Sequence, residues 1–318
     1  MAPALALPLF AVSILVTFLA AGYFADKLDH IGPRVGLPES AVGLLTAVAA
    51  DTPEIAAAIS ALVSGNKQAS LGVVLGSNVF NLAAMVGVSA VAAGAVVIGR
   101  RALAIEGAVG IVSLAVAAAL IAGAIPAWVA LLLLVAVIAP YVVVAMRRPD
   151  EARTPHRTRP AEHRHLHGEA LVKPVALLVP AVVLIVAGSY GMVRAALALA
   201  DRWNVSGTVT GLFVLAVLTS LPNAFTAVRL GLAGRGDALV TETLASNTIN
   251  LIGGVLLPAL FVGLATATAS VVFDLAFLGG MTVLTLGLLM QRHGLGRAGG
   301  AVLIGLYVAF VAIHLALG

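Results

Sequence analysis

The stretch LGSNVFNLAAMVG, Leu75–Gly87, returns later in the chain as LASNTINLIGG, Leu244–Gly254. Ser77 and Ser246 are 169 residues apart, as are Asn78 and Asn247, and Asn81 and Asn250. Pro53, in the run DTPE, and Pro222, in TSLPNAF, share that offset. Four matched positions at one gapless spacing, covering nearly thirty residues, mark an internal duplication.

The duplicated material belongs in lipid. Of 318 residues, 61% are hydrophobic and 10% charged, with mean hydropathy +1.10, far outside the usage of a soluble domain. Apolar runs long enough to cross a hydrocarbon core of roughly 30 Å fill nearly the whole chain. Their length and even apolarity predict helices rather than the alternating strands of a barrel. Ten spans follow, at 4–22, 38–64, 69–95, 102–123, 127–146, 172–199, 206–230, 238–264, 267–290 and 298–317. The first run lacks the basic start of a cleaved signal peptide and reads as a retained span. Cysteine is absent, which removes disulfides and thiolate metal ligands.

Charge follows topology rather than nucleic acid, despite a formal net charge of +4. With the N-terminus outside, fifteen of the eighteen Lys and Arg residues fall on the inner side, and only Lys67, Arg194 and Arg202 lie outside. That is the positive-inside distribution expected in a cytoplasmic membrane. The one long polar segment, Arg147 to Ala170, is then a cytoplasmic linker rich in Pro and Arg; His163, His165 and His167 within it read as part of a solvated tether. It divides the chain into a first repeat, 1–146, a linker, 147–171, and a second repeat, 172–318. Each repeat holds five spans. Five is odd, so the second copy enters the membrane from the opposite side, giving an inverted repeat, an architecture associated with transporters whose site lies at mid-membrane. The fold class is therefore an all-α polytopic membrane protein of about ten transmembrane helices in two inverted halves.

The costly residues lie where the repeats match. A carboxylate at a helix centre costs about 2.5–3.5 kcal/mol on insertion scales, and span two carries both Asp51 and Glu54 near its middle. At a spacing of three they share a face. Pro53 between them removes a backbone donor, frees a carbonyl and is expected to break the helix. Span seven offers Thr219, Ser220 and Asn223 around Pro222, and spans three and eight are expected to open near their middle at Gly76–Asn81 and Ala245–Asn250. Together these segments form a cage of carboxylate, hydroxyl and amide oxygens, which suits a hard cation. No Cys or His joins it, which disfavours zinc and copper. Two close buried carboxylates do not both ionise cheaply, so an empty cage is expected to hold a proton. Glu242 lies four residues before Ser246 and eight before Asn250 on one helical stripe. Asp274 sits deeper in span nine without an evident partner, Glu106 reads as an ion pair with Arg100 and Arg101, and Glu39 reads as a helix-start acid.

The duplicated pattern, a Pro followed by an acid or amide and then Gly/Ala-Ser-Asn-x-x-Asn, resembles that of the sodium/calcium exchanger (cation/calcium exchanger, CaCA) superfamily over essentially the whole chain. The resemblance implies a secondary active antiporter of ten helices in which spans two, three, seven and eight hold calcium and sodium or protons. By matching position it assigns ligand roles to Glu54, Asn223, Ser77, Asn81, Thr219, Ser220, Ser246 and Asn250. Members generally carry a glutamate after the proline in both repeats; this chain has Asn223 in the second and an extra acid, Asp51, in the first. Asp51 and Glu242 are read as restoring the charge lost at position 223.

The expected function is calcium/cation exchange by alternating access, coupled to sodium or protons. No catalytic residue and no resident cofactor are expected, and the partners are inorganic cations and the bilayer, with no nucleic acid; protein partners are not specified by the sequence. The alternatives are a monovalent cation/proton exchanger of the same fold and a non-transporting membrane scaffold. An intramembrane hydrolase is disfavoured because no serine has a His or Lys base at membrane depth.

Overall fold

The structure, a computed structural model, describes residues 3–31, 47–147, 178–264 and 267–317. The start of span two with Glu39, most of the linker with His163, His165 and His167, and the first residues of span six lie outside the described residues. Among the described residues the chain runs as α1 (Pro3–Ile31), α2 (Thr52–Val63), α3 (Lys67–Ala93), α4 (Arg100–Ile121), α5 (Ala127–Arg147), α6 (Leu178–Trp203), α7 (Gly207–Leu232), α8 (Gly236–Phe261), α9 (Ala269–Leu289) and α10 (Arg297–Leu317). These coincide in order with the ten expected spans. Eight of them are long and apolar enough to cross a membrane; α2 and α5 are represented by shorter apolar stretches, Thr52–Val63 and Ala127–Pro140. The chain is thus a polytopic helical membrane protein of two inverted five-helix repeats.

Burial ranks the helices. In α3, 89% of the most apolar stretch is buried inside the protein, against 22% in α10 and 28% in α1. So α3 is the centre of the bundle, and α1 and α10 turn apolar side chains such as Leu15, Leu19 and Val308 outward, where lipid rather than water is the compatible neighbour. Backbones approach closely where α3 meets α7: a Cβ on Gly76 would lie 2.4 Å from the Leu212 carbonyl oxygen, and one on Gly211 would lie 2.4 Å from that of Ala69. Any side chain at either position would force these helices apart, which is the small-residue packing that membrane interfaces require.

Sequence reasoning places breaks at the Ser-Asn-x-x-Asn motifs, and there the structure differs. Lys67–Asn81 is unbroken α-helix, and the irregularity follows it as a π-helical turn, Leu82–Val88. The second repeat does the same: Gly236–Leu251 is α-helical and Ile252–Leu256 is π-helical. A π turn widens the helix by one residue and shifts carbonyls out of register without exposing backbone to lipid, a cheaper solution at membrane depth than an open loop. A third π turn, Thr210–Leu215, precedes the proline segment of α7.

Span two does step at its acids. Residues 47–50 are helical, Asp51 is a turn residue with φ −87° and ψ −2°, and α2 resumes at Thr52. The break is slight, because Asp51 N still donates to Ala47 O and Ile55 N to Asp51 O, both at 3.1 Å. Pro53 has no hydrogen to give Ala49 O, which is the carbonyl freed. In α7, Pro222 sits inside an uninterrupted helix.

Loops gather at two ends. Ala95 and Val96 pair with Gly296 and Leu295 as β1 (Ala95–Val96) and β2 (Leu295–Gly296), a two-residue antiparallel contact that sequence reading does not find. Nearby, Gly99 N donates to Asp237 Oδ1 at 2.7 Å. At the other end Lys67 Nζ donates to Leu264 O at 3.4 Å. This is the alternation that helices crossing in turn produce.

A candidate cation cage with two-fold symmetry

Four helices bring eight of the ten sequence-selected residues into one buried, hydrogen-bonded cluster, and a ninth, Thr219, is buried next to Ser220 on α7. Asp51, Glu54, Ser77, Asn81, Thr219, Ser220, Asn223, Ser246 and Asn250 are each 5% exposed or less. The hydrogen bonds among them follow the duplication. Asn81 Nδ2 donates to Ser246 Oγ at 3.2 Å and to Asn247 Oδ1 at 3.1 Å. Its counterpart Asn250 Nδ2 donates to Ser77 Oγ at 3.4 Å and to Asn78 Oδ1 at 3.3 Å. Between them Asn78 Nδ2 reaches Asn247 O at 3.0 Å, and Asn247 Nδ2 reaches Asn78 O at 3.1 Å. Each contact is the image of another under exchange of the repeats.

From sequence, Asn78 and Asn247 serve only as markers of the duplication. Their reciprocal bonds join α3 to α8 across the symmetry axis. The signal that could have found this role is the invariance of that Asn between the two copies, beside a second Asn that faces the cage.

The carboxylates obey the same geometry with the chemistry divided. Ser220 Oγ donates to Glu54 Oε1 at 3.0 Å, and Asn223 Nδ2 donates to Asp51 Oδ1 at 2.9 Å and to Glu54 Oε1 at 3.5 Å. Ser220 is the repeat counterpart of Asp51, and Asn223 that of Glu54. Both acids therefore come from the first half and both donors facing them from the second. Ser246 Oγ adds a bond of 2.6 Å to Asp51 Oδ1. Thr219 Oγ1 donates to its own helix, at Leu215 O and Ala216 O, and Ser77 Oγ to Val74 O, which leaves lone pairs on both oxygens available.

Four buried oxygens in this network have no hydrogen-bond partner: Asp51 Oδ2, Glu54 Oε2, Asn81 Oδ1 and Asn250 Oδ1. Unpaired buried acceptors are costly, by about 1–3 kcal/mol each, and more for charged ones. Two carboxylate and two amide oxygens left open, one amide from each repeat, form the donor set a hard cation takes. Among the described residues no group of three or more His, Cys, Asp and Glu side chains is placed to hold a metal, so amides and hydroxyls complete any ligand shell here.

Glu242, the tenth residue, lies one turn before Ser246 on α8, half-buried, within electrostatic range of both Asp51 and Arg235. Asp274 lies elsewhere: on α9, paired with His314 of α10 at 2.8 Å. Sequence reading does not identify that partner, which is separated by forty residues and carries no motif.

A buried oxygen cage between inverted helical repeats defines a membrane transporter of ions, not an enzyme. The chain belongs to the sodium/calcium exchanger family, whose model, described as sodium/calcium exchanger protein, matches residues 5–146 and 173–316. It is 25% identical to the inner membrane protein YrbG of Escherichia coli (strain K12) over 256 residues, covering 78% of each chain. It is 34% identical to the sodium/calcium exchanger MaX1 of Methanosarcina acetivorans over 79 residues, 24% of this chain and 23% of that protein. The fold matches structures of the sodium-calcium exchanger NCX_Mj, with a TM-score of 0.65 and 18% identity for the crystal soaked in sodium and zero calcium, over 98% of this chain and 99% of that one.

Proposed function

We propose that this protein exchanges calcium for sodium or protons across the cytoplasmic membrane, binding the ions at Asp51, Glu54, Ser77, Asn81, Thr219, Ser220, Asn223, Ser246 and Asn250 by alternating access. The observation that carries the reading is the set of four unpaired oxygens inside an otherwise bonded, two-fold cage. A dehydrated cation gives each of them a partner and offsets the charge of the two acids. The repeat symmetry supplies two equivalent states, since exchanging the conformations of the halves exchanges the side to which the cage opens. In this reading the N-terminus lies outside, the chain divides into repeats 1–146 and 172–318, and the linker is cytoplasmic. A cavity of about 830 Å³, lined among others by Asn66, Lys67, Gln68, Arg194 and Asp201, then faces outward as a vestibule.

A second reading, exchange of a monovalent cation for protons, is favoured by the neutral Asn223, which leaves two acids hydrogen-bonded into the cage. Uptake of radioactive calcium into proteoliposomes under an imposed sodium or proton gradient separates the two. Gradient-driven calcium accumulation is expected. Sodium flux without calcium flux would establish the monovalent reading, and no ion movement would establish a scaffold.

Glu242 acts in this scheme as a third acid between the cage and Arg235, drawing cations toward Asp51. Glu242→Gln is expected to slow calcium uptake about tenfold, as loss of one partly desolvated charge contact of about 1.4 kcal/mol would. Rates equal to wild type would assign Glu242 to hydrated surface.

A further inference from the structure

An asparagine shows a site either its oxygen or its nitrogen, depending on a half-turn about its last bond, so a cage that uses Asn81 and Asn250 for their oxygens needs something to choose the end. In both, Nδ2 is bonded to protein and Oδ1 is left open. The serines do not fix that choice. Ser77 Oγ spends its hydrogen on Val74 O and Ser246 Oγ spends its own on Asp51 Oδ1, so each oxygen accepts from the amide opposite it. A hydroxyl hydrogen rotates, and once turned it serves an amide oxygen equally well.

The fixed reference lies one step further out. Asn78 Nδ2 donates to the backbone carbonyl of Asn247 at 3.0 Å, and Asn247 Nδ2 donates to that of Asn78 at 3.1 Å. A backbone carbonyl only accepts, and in a helix it does not turn. Nitrogen must therefore be the end of each amide that meets it. The other end of Asn78 is then an oxygen, 3.3 Å from Asn250, and only Nδ2 of Asn250 satisfies it. By the same steps Asn247 Oδ1, 3.1 Å from the side chain of Asn81, takes Nδ2 of Asn81. What remains for the cage is Oδ1 of both. All four side chains are buried, so a flip of Asn81 or Asn250 sets oxygen against oxygen with little water to relieve it. The connections cross between repeats: Asn78 of α3 orients Asn250 of α8, and Asn247 of α8 orients Asn81 of α3.

We propose that Asn78 and Asn247 are positioning residues for ion binding, each anchored on a backbone carbonyl across the symmetry axis and each holding the ligand amide of the opposite repeat with its oxygen open to the ion. This role rests on the cation reading of the cage. It differs from merely joining α3 to α8, because each Asn acts through one named partner. An NH₂ turned into the cage opposes a cation in proportion to its charge, so calcium loses more than sodium when the orientation is released.

The test is a pair of double-mutant cycles on the full-length protein in detergent, with calcium and sodium binding read by titration calorimetry and the ion-free melting temperature recorded for each variant. Asn78→Leu keeps a branched side chain and removes both polar ends. It is expected to weaken calcium binding about tenfold, and sodium binding less. In Asn250→Ala, where no amide is left to orient, adding Asn78→Leu is expected to change calcium affinity by less than about twofold, whereas in Asn81→Ala it keeps its full cost. Asn247→Leu is expected to mirror this, losing its effect in Asn81→Ala and keeping it in Asn250→Ala. That second cycle decides the matter if Asn78→Leu does not fold. Equal costs in every background, or a lower ion-free melting temperature with calcium affinity unchanged, would overturn the proposal and leave the two residues as a helix joint. Calcium binding unaltered by Asn81→Ala and Asn250→Ala, or a wild type that binds neither cation, would overturn the cage reading itself and the positioning role with it.

Discussion

Glu54→Gln is expected to reduce gradient-driven calcium uptake by about 100-fold or more, because removing one partner of a buried charge interaction costs about 3–5 kcal/mol and each factor of ten is about 1.4 kcal/mol. The substitution is close to isosteric. The carbonyl oxygen of the new amide still accepts from Ser220 Oγ, in place of the 3.0 Å bond that Glu54 makes now, so the α2 to α7 contact survives. What changes is the other oxygen. Glu54 Oε2 is one of the four cage oxygens without a partner, and an amide NH₂ in its place turns an acceptor for a cation into a donor that repels one. The cation-free protein is relieved of a buried charge and is expected to melt no lower than wild type, whereas the stabilisation that calcium confers on wild type through mass action is expected to vanish. Reading uptake and thermal shift together separates a lost ion from a lost fold. Uptake equal to wild type would remove Glu54 from the ion path and with it the assignment of the cage.

How far the cage could be read from sequence depended on which physics each feature rests on. The duplication at a fixed offset revealed the inverted repeats, since a gapless spacing in sequence becomes a symmetry operation in space. The cost of a carboxylate in lipid singled out Asp51 and Glu54 without any structure. Three other features rest on contacts between distant segments. The π turns after Asn81 and Asn250 are not encoded by a breaker residue; they arise where Gly253 and Gly254 meet Ile55 and Val74, and Gly87 meets Gly300. The Asn78 to Asn247 crossing needs two helices at a particular separation. His314 near the end of α10 lies in a strongly apolar run, and nothing local to it names Asp274. Composition reveals which residues are expensive to bury; it does not reveal which partner offsets the expense.

Moving a carboxylate within the cage is the second large effect. Exchanging the repeats maps Asp51 onto Ser220 and Glu54 onto Asn223, so the present site holds its two acids on one half and its two donors on the other. Asp51→Ser leaves one carboxylate for the ion and an unfulfilled donor at Ser246, which now bonds Asp51 at 2.6 Å; uptake is expected to fall at least tenfold, about 1.4 kcal/mol, as charge-assisted bonds of about 1.5–3 kcal/mol require. Asn223→Glu alone places a third carboxylate against Asp51, where the amide nitrogen is now 2.9 Å away, and within reach of Glu54 at 3.5 Å, so it too is expected to be impaired, by repulsion and by loss of two donated bonds. The double substitution puts serine at both 51 and 220 and glutamate at both 54 and 223. Charge count returns to two and each half supplies one acid. Residues in one network couple by about 0.5–3 kcal/mol, enough for the double variant to recover most of the uptake that either single loses. Such recovery would mean that the cage is defined by its total charge and its oxygen positions, and that Asp51 is the displaced equivalent of the acid missing from the second repeat. A double variant no better than Asp51→Ser would show instead that the carboxylate must stand at the step in span two, where Pro53 leaves the Ala49 carbonyl without its donor.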